Sequence, residues 1–301
     1  MSPEEQNEIQ QVIRAIPVLA GIMESPQRLG GLTNRVYALG DFVLRIPGKG
    51  TEEYINRAHE VVMAKMAAAA GVGPAVILAD SKSGIMVTQR VVATTMSPEK
   101  FKTRPDAVIR AGQALAKLHR TSGLFPSRFE LFAVIEDYFR ILSSKNYALP
   151  HGYQEAMEQA EALRNSLTKN PIPLAPCHCD PLCENFLDDG TLMWIVDWEY
   201  GGMNDPMWDL GDLSVEGSFT PEQDQELVYA YFGGTGSIAD HGRMVIYKAM
   251  CDLLWALWGL IQHANKNPAE DFSAYAANRF KRCKNLMATK DFARHVAVVS
   301  A

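Results

Sequence analysis

His178, Asp180 and Asn185 follow one another in the pattern H-x-D-x4-N, and the apolar run Leu192-Met193-Trp194-Ile195-Val196 downstream ends in Asp197. A carboxylate, a carboxamide oxygen and a second carboxylate at this spacing suit a particular chemistry. Hard divalent cations such as magnesium take oxygen ligands of this kind, usually together with substrate phosphates. Phosphoryl transfer needs little more: a carboxylate to orient a hydroxyl and accept its proton, metal ligands, and a cation on the phosphates. Asp180 fits the base, with Asn185 and Asp197 as metal ligands. Arg45 supplies a cation from inside the apolar stretch Phe42-Val43-Leu44-Arg45-Ile46, where an arginine calls for an anionic partner, and Glu60 is the natural one. A solvent-facing arginine on an edge strand is the competing reading of Arg45 from that stretch alone.

Those residues need a scaffold. The turn residues Asp188-Asp189-Gly190 join two hairpin arms that bring Asn185 near Asp197. Residues 36–39 and 42–46 read as strands about a Gly40-Asp41 turn, and residues 75–79 and 85–92 as two more. Helical spacing predicts helices over residues 3–16 and 51–70, so the first part of the chain is a small β-rich lobe with one internal helix. Gln89-Arg90-Val91 leaves its last strand as a hinge. From residue 97 the pattern is helical, with helices predicted over 105–120, 132–142, 153–167, 209–215, 222–232, 243–262 and 272–287. The tail beyond His295 reads as dispensable. Gly30-Gly31 before the first strand of the hairpin could let the backbone approach a phosphate, although a plain turn would look the same.

Composition narrows the class. The chain has 301 residues, enough for two lobes, with 47% hydrophobic and 21% charged residues and a net charge of −6. That balance argues against a general nucleic-acid or anionic-membrane binder. The N-terminus lacks the pattern of a signal peptide, and the longest apolar candidate, residues 250–261, is interrupted by Asp252, so no membrane span is expected. Five cysteines, with Cys177, Cys179 and Cys183 clustered, make a poor disulfide framework and point to a reducing cytoplasm. The cluster lacks paired C-x2-C knuckles, so packing is the simpler reading than a metal site.

Here the chain resembles a known family. His178-Cys179-Asp180-Pro181-Leu182-Cys183-Glu184-Asn185 and Ile195-Val196-Asp197-Trp198-Glu199-Tyr200 look like the catalytic and metal-binding motifs of the choline kinase and aminoglycoside phosphotransferase superfamily. The resemblance extends to Gly30-Gly31-Leu32-Thr33-Asn34, to residues 43–50, and to Ile55-Asn56-Arg57 with Glu60. It implies an α+β, bilobal protein-kinase-like fold, with a nucleotide-binding lobe at 1–91 and a catalytic and acceptor-binding lobe at 92–301. It also implies ATP and Mg2+ as cofactors. Gly31, Thr33, Asn34, Gln89 and Val91 then fall on the nucleotide, with Arg45 and Glu60, and His178 orients the loop of Asp180.

The acceptor side resembles the choline/ethanolamine kinase branch, of the short bacterial type. The signs are Trp198-Glu199-Tyr200 and Asp209-Leu210-Gly211-Asp212 running on to Glu216. Trp255 and Trp258 lie three apart on one helix face and with Tyr200 could cage a quaternary ammonium, with Glu216, Asp212 and Glu199 as acidic partners. The same tryptophans could instead be plain core. Choline is the expected acceptor, with ethanolamine, thiamine or an aminoglycoside as alternatives and a non-catalytic sensor as a rival of another class.

Overall fold

The computed structural model describes residues 3–30, 34–48 and 55–301. Helix α1 (Pro3–Ala15) precedes three strands, β1 (Gln27–Gly30), β2 (Arg35–Leu39) and β3 (Phe42–Ile46). Helix α2 (Arg57–Ala69), β4 (Val76–Ala79) and β5 (Met86–Gln89) complete an antiparallel sheet of order β1-β2-β3-β5-β4. The two-residue turn falls at Gly40-Asp41 as expected, with Gly40 at φ +56° where a side chain would be strained.

Strand alternation explains the sheet's two faces. Tyr37 and Leu39 of β2 and Leu44 and Ile46 of β3 share a small core with Ile9 and Ile13 of α1. Arg45, one residue out of phase with Leu44, must therefore point to the other face, where α2 packs. The α2 residues at helical spacing, Arg57, Glu60, Met63, Ala64 and Ala67, are its buried side. Since β3 lies between β2 and β5, the edge-strand reading of Arg45 is excluded.

The larger core is helical. β6 (Thr94–Thr95) leads into α3 (Pro98–Thr103), α4 (Pro105–Thr121), α5 (Leu131–Ser144) and α6 (Tyr153–Lys169). Then come β7 (Ala175–Cys177), a 3-10 turn at Cys183–Asn185, β8 (Phe186–Asp188), β9 (Met193–Ile195) and β10 (Gly202–Asn204). The chain ends in α7 (Pro206–Glu216), α8 (Pro221–Phe232), α9 (Ile238–Ala264), α10 (Phe272–Met287) and α11 (Lys290–Ser300). β8 and β9 form the expected hairpin, and β6 adds to β8. Its turn is set by side chains: Asp189 Oδ1 accepts from the N–H groups of Thr191 and Leu192 at 2.8 and 2.7 Å, and Gly190 adopts φ +90°.

Two expectations need correction. The tail after His295 is not dispensable. It belongs to α11, which buries Phe292 and Val299 against α9 and accepts a hydrogen bond from Asn170 Nδ2 at 3.0 Å. Helix α9 also starts earlier than residue 243, at a capping box of Ser237 and Asp240. By length and composition α9 alone among the described helices could cross a membrane, but 83% of its apolar window is buried inside this fold. Helices α5, α6, α7, α10 and α11 pack against it.

Candidate active site

The loop that carries Asp180 is shaped by a residue far from it in sequence. Cys179 sits at φ +67°, a conformation that a non-glycine residue adopts only when its surroundings impose it. Asp209, fully buried at the start of α7, accepts from the N–H groups of His178 and Cys179 at 2.7 and 2.9 Å, and its Oδ2 lies 3.0 Å from His119 Nε2. The Trp208 indole donates to the Cys179 carbonyl at 3.1 Å. His178 is equally buried. Its Nε2 donates to the Val196 carbonyl at 2.8 Å, and burial lowers its pKa, so it is neutral. It is a positioning residue that ties the Asp180 loop to the strand ending in Asp197, rather than a group at the reacting atoms.

Asn185 and Asp197 are brought together through their backbones: the Val196 N–H donates to the Asn185 carbonyl at 3.0 Å. The Asn185 amide nitrogen donates to the Asp180 carbonyl at 3.0 Å, so its Oδ1 is the atom on the far side of that amide that could accept. Asp197 is held at φ +69°, and its Oδ1 is buried with no hydrogen-bond partner among the described residues. Oxygens of Asp197, Glu60 and Glu199 lie within 4.8 Å of one another. An orphaned oxygen beside further carboxylates is the donor set a hard cation needs, so these residues fit magnesium.

Facing the carboxylates are two arginines. Arg45 pairs with Glu60, donates to the Gly84 carbonyl at 3.1 Å and stands 3.6 Å from Asp197. Arg57, not singled out from the sequence as a site residue, bridges Glu60 and Glu199 at 2.8 and 2.6 Å. Glu199 is therefore engaged by Arg57 beside Glu60 and Asp197, and not set among the cage rings where it was expected. Its neighbour Tyr200 meets the Trp255 ring instead, because the two residues are the centre of a turn closed by the Gly201 N–H on the Trp198 carbonyl at 3.1 Å.

Burial, and then charge crowding, raises the carboxyl pKa values here. Burial, then Asp197, Glu216 and Glu199, push Asp180 well up, with Arg279 opposing. Burial and Glu199 push Asp197 up to about 7, against Arg45. A raised carboxyl favours the protonated fold, so the metal-free protein loses stability as pH rises from the ordinary carboxylate range through about 7. Metal ligation needs the carboxylate. Mg2+ binding near pH 6 should thus expel up to about one proton, and affinity should climb until pH passes about 7. Titration calorimetry in buffers of different ionisation enthalpy measures this, and a flat affinity between about pH 5.5 and 8 would contradict it.

At the acceptor end, Tyr200, Trp255 and Trp258 do come together. Their rings meet edge to face at 5.9 and 6.1 Å. Tyr275 of α10 extends the row, 6.0 Å from Trp258, and was missed because nothing nearby in sequence marks it. Glu216 is paired with Arg279 at 2.7 Å. Asp212 lies deeper, fully buried, with the Cys251 thiol 3.2 Å from its Oδ1. Gly211 permits this depth, since a Cβ there would meet the Met244 carbonyl at 2.8 Å. All five cysteines are free and buried, as packing residues should be.

On the nucleotide side, Gly31 and Thr33 lie outside the described residues. Asn34 is buried, and its amide has no partner among the described residues. Gln89 ends β5 and is exposed, Val91 is half-buried, and the intervening Arg90 N–H is taken by the Asp41 carbonyl at 2.7 Å.

The fold defines a class first, that of protein-kinase-like phosphotransferases. Residues 26–247 match the phosphotransferase enzyme family. A choline/ethanolamine kinase family protein from Mesorhizobium loti is 59% identical, with a TM-score of 0.93 over 98% of each chain. Choline kinase LicA from Streptococcus pneumoniae is 25% identical, with a TM-score of 0.78 over 95% of this chain and 99% of its own. Protein LicA of Haemophilus influenzae is 26% identical over 86% of this chain and 78% of its own. The chain belongs to the phosphotransferase enzyme family and, within it, to the choline/ethanolamine kinases.

Proposed function

We propose that the protein transfers the γ-phosphoryl group of ATP to the hydroxyl of choline, giving phosphocholine and ADP. The observation that carries this is a juxtaposition: the segment ending at Tyr200 holds Asp180, Asn185 and Asp197, and Tyr200 itself starts the aromatic row with Trp255 and Trp258. One stretch of chain thus joins a phosphoryl-transfer set to a surface suited to a quaternary ammonium. The LicA of Streptococcus pneumoniae, by name a choline kinase, supports the same acceptor. Five free, buried cysteines fit a reducing, cytoplasmic setting.

In this reading Asp180 orients the choline hydroxyl and takes its proton as the oxygen attacks the γ-phosphorus, with ADP leaving on the opposite side. Asn185, Asp197 and Glu199 would hold magnesium. The metal would supply positive charge that offsets the charge of the phosphates. Arg45 and Arg57, fixed by Glu60, keep positive charge beside those ligands. Asn34 and the hinge about Gln89 and Val91 take the nucleotide.

An ADP-release assay over choline, ethanolamine, thiamine and an aminoglycoside should give the highest kcat/KM for choline. No ADP release with any of them would make the protein a ligand sensor instead. Trp255→Ala and Trp258→Ala should each raise the choline KM about tenfold, the loss of a desolvated cation–π contact, with the ATP KM little changed. A choline KM unmoved in both variants would sink the cage.

A further inference from the structure

We propose that Arg279 sets the acceptor preference by clamping Glu216, which denies a primary ammonium its hydrogen-bond acceptor and leaves a pocket that favours a quaternary one; this rests on the amino-alcohol kinase reading above. Arg279 lies on α10 and is 6% exposed. Its Nη2 donates to Glu216 Oε2 at 2.8 Å and lies 2.7 Å from Oε1, so both carboxylate oxygens face one guanidinium nitrogen. Its Nη1 reaches Asp252 Oδ1 at 3.4 Å, and its guanidinium carbon stacks 4.7 Å from the Tyr275 ring centroid. These contacts fix the fork from both sides.

The clamp engages Glu216, one of the acids expected to meet the acceptor. Glu216 is neutralised locally by Arg279. Asp252 is shared between Arg279 and Arg282. Asp212 is fully buried beneath them, against the Cys251 thiol. Aromatic rings make the remaining wall: Tyr200, Trp255, Trp258 and Tyr275. A primary ammonium carries three donors and is penalised where they go unmatched. A trimethylammonium donates nothing and is attracted by ring faces. The positive charge of Arg279 acts on both ligands alike, so it cancels from their ratio, as does any effect on Asp180.

The test compares kcat/KM for ethanolamine and choline in the full-length wild type, in Arg279→Met, and in Arg279→Met/Glu216→Gln. The double variant guards against misfolding, because it leaves no unpaired charge at 216 and Asp252 keeps Arg282. Either variant frees an acceptor oxygen at 216, so the ethanolamine-to-choline ratio should rise about tenfold. A purely structural role would lower both substrates' values together and leave the ratio alone. A ratio within about twofold of wild type in both variants overturns the clamp while the kinase reading stands. A wild type that turns over neither amino alcohol overturns both.

Discussion

Asp180→Asn is expected to lower kcat about a thousandfold, with ATP affinity little changed and thermal stability equal to wild type or higher. The two halves of that result have one cause. Burial, and after it crowding by Asp197, Glu216 and Glu199, pushes Asp180 well above an ordinary carboxyl pKa. Together they make it a stronger base than a solvated carboxylate, and they also make its charge costly to the fold. An isosteric amide removes the cost and the proton acceptor together. Steady-state kinetics beside a melting curve separates this from simple unfolding, which would lower both. Near-wild-type turnover would remove Asp180 from the role. In the wild type the same raised pKa places the acid limb of the kcat profile above the ordinary carboxylate range, since turnover needs the ionised form.

Asp209→Ala should have the largest effect on stability, about 3–5 kcal/mol, because it leaves two buried backbone donors and His119 without their acceptor. Turnover should fall too, as Cys179 relaxes from its positive φ and carries Asp180 out of line. Asp209→Asn keeps one acceptor oxygen and should sit between. Urea unfolding with kcat on the same samples checks this, and a loss under about 1 kcal/mol would show that the loop holds its own shape.

The residues of the phosphoryl-transfer set were legible because they fall within one short segment whose spacing the backbone dictates. A hairpin closed by a short four-residue connection has few registers, so the ends of its arms, Asn185 and Asp197, come near each other. Arg45 was legible for another reason: a buried strand cannot carry a guanidinium without a partner, and α2 offered Glu60. The partners of Arg57, Asp209, Tyr275 and Arg279 were not legible, although Arg57 and Asp209 fall within the segments that carry the resemblance. Each of these residues lies on a helix where a polar residue also reads as solvated, and each meets a residue of another element: Arg57 meets Glu199, Asp209 the N–H groups of His178 and Cys179, Tyr275 the Trp258 ring, and Arg279 Glu216. Glu199 was expected beside Tyr200 in the cage, but the two are the centre of a turn and adjacency in sequence does not tell that one meets Arg57 and the other Trp255; the tail was underrated because the helical period of α11 was not followed past His295.

Among the described residues, those proposed to perform the reaction and those proposed to choose the acceptor lie on different stretches of chain. Arg45, Glu60 and the segment from His178 to Asp197 hold the first set; α7, α9 and α10 hold the second, and Tyr200 is the join. An enzyme built so can change its customers without changing its trade. Substitutions on α9 and α10 alter what may enter while the ion pairs that fix the transferring end stay intact. Lineages with this fold would then diversify in acceptor faster than in chemistry, and α10, with Tyr275 and Arg279 on one helix, is where selection or a laboratory library would find that freedom first.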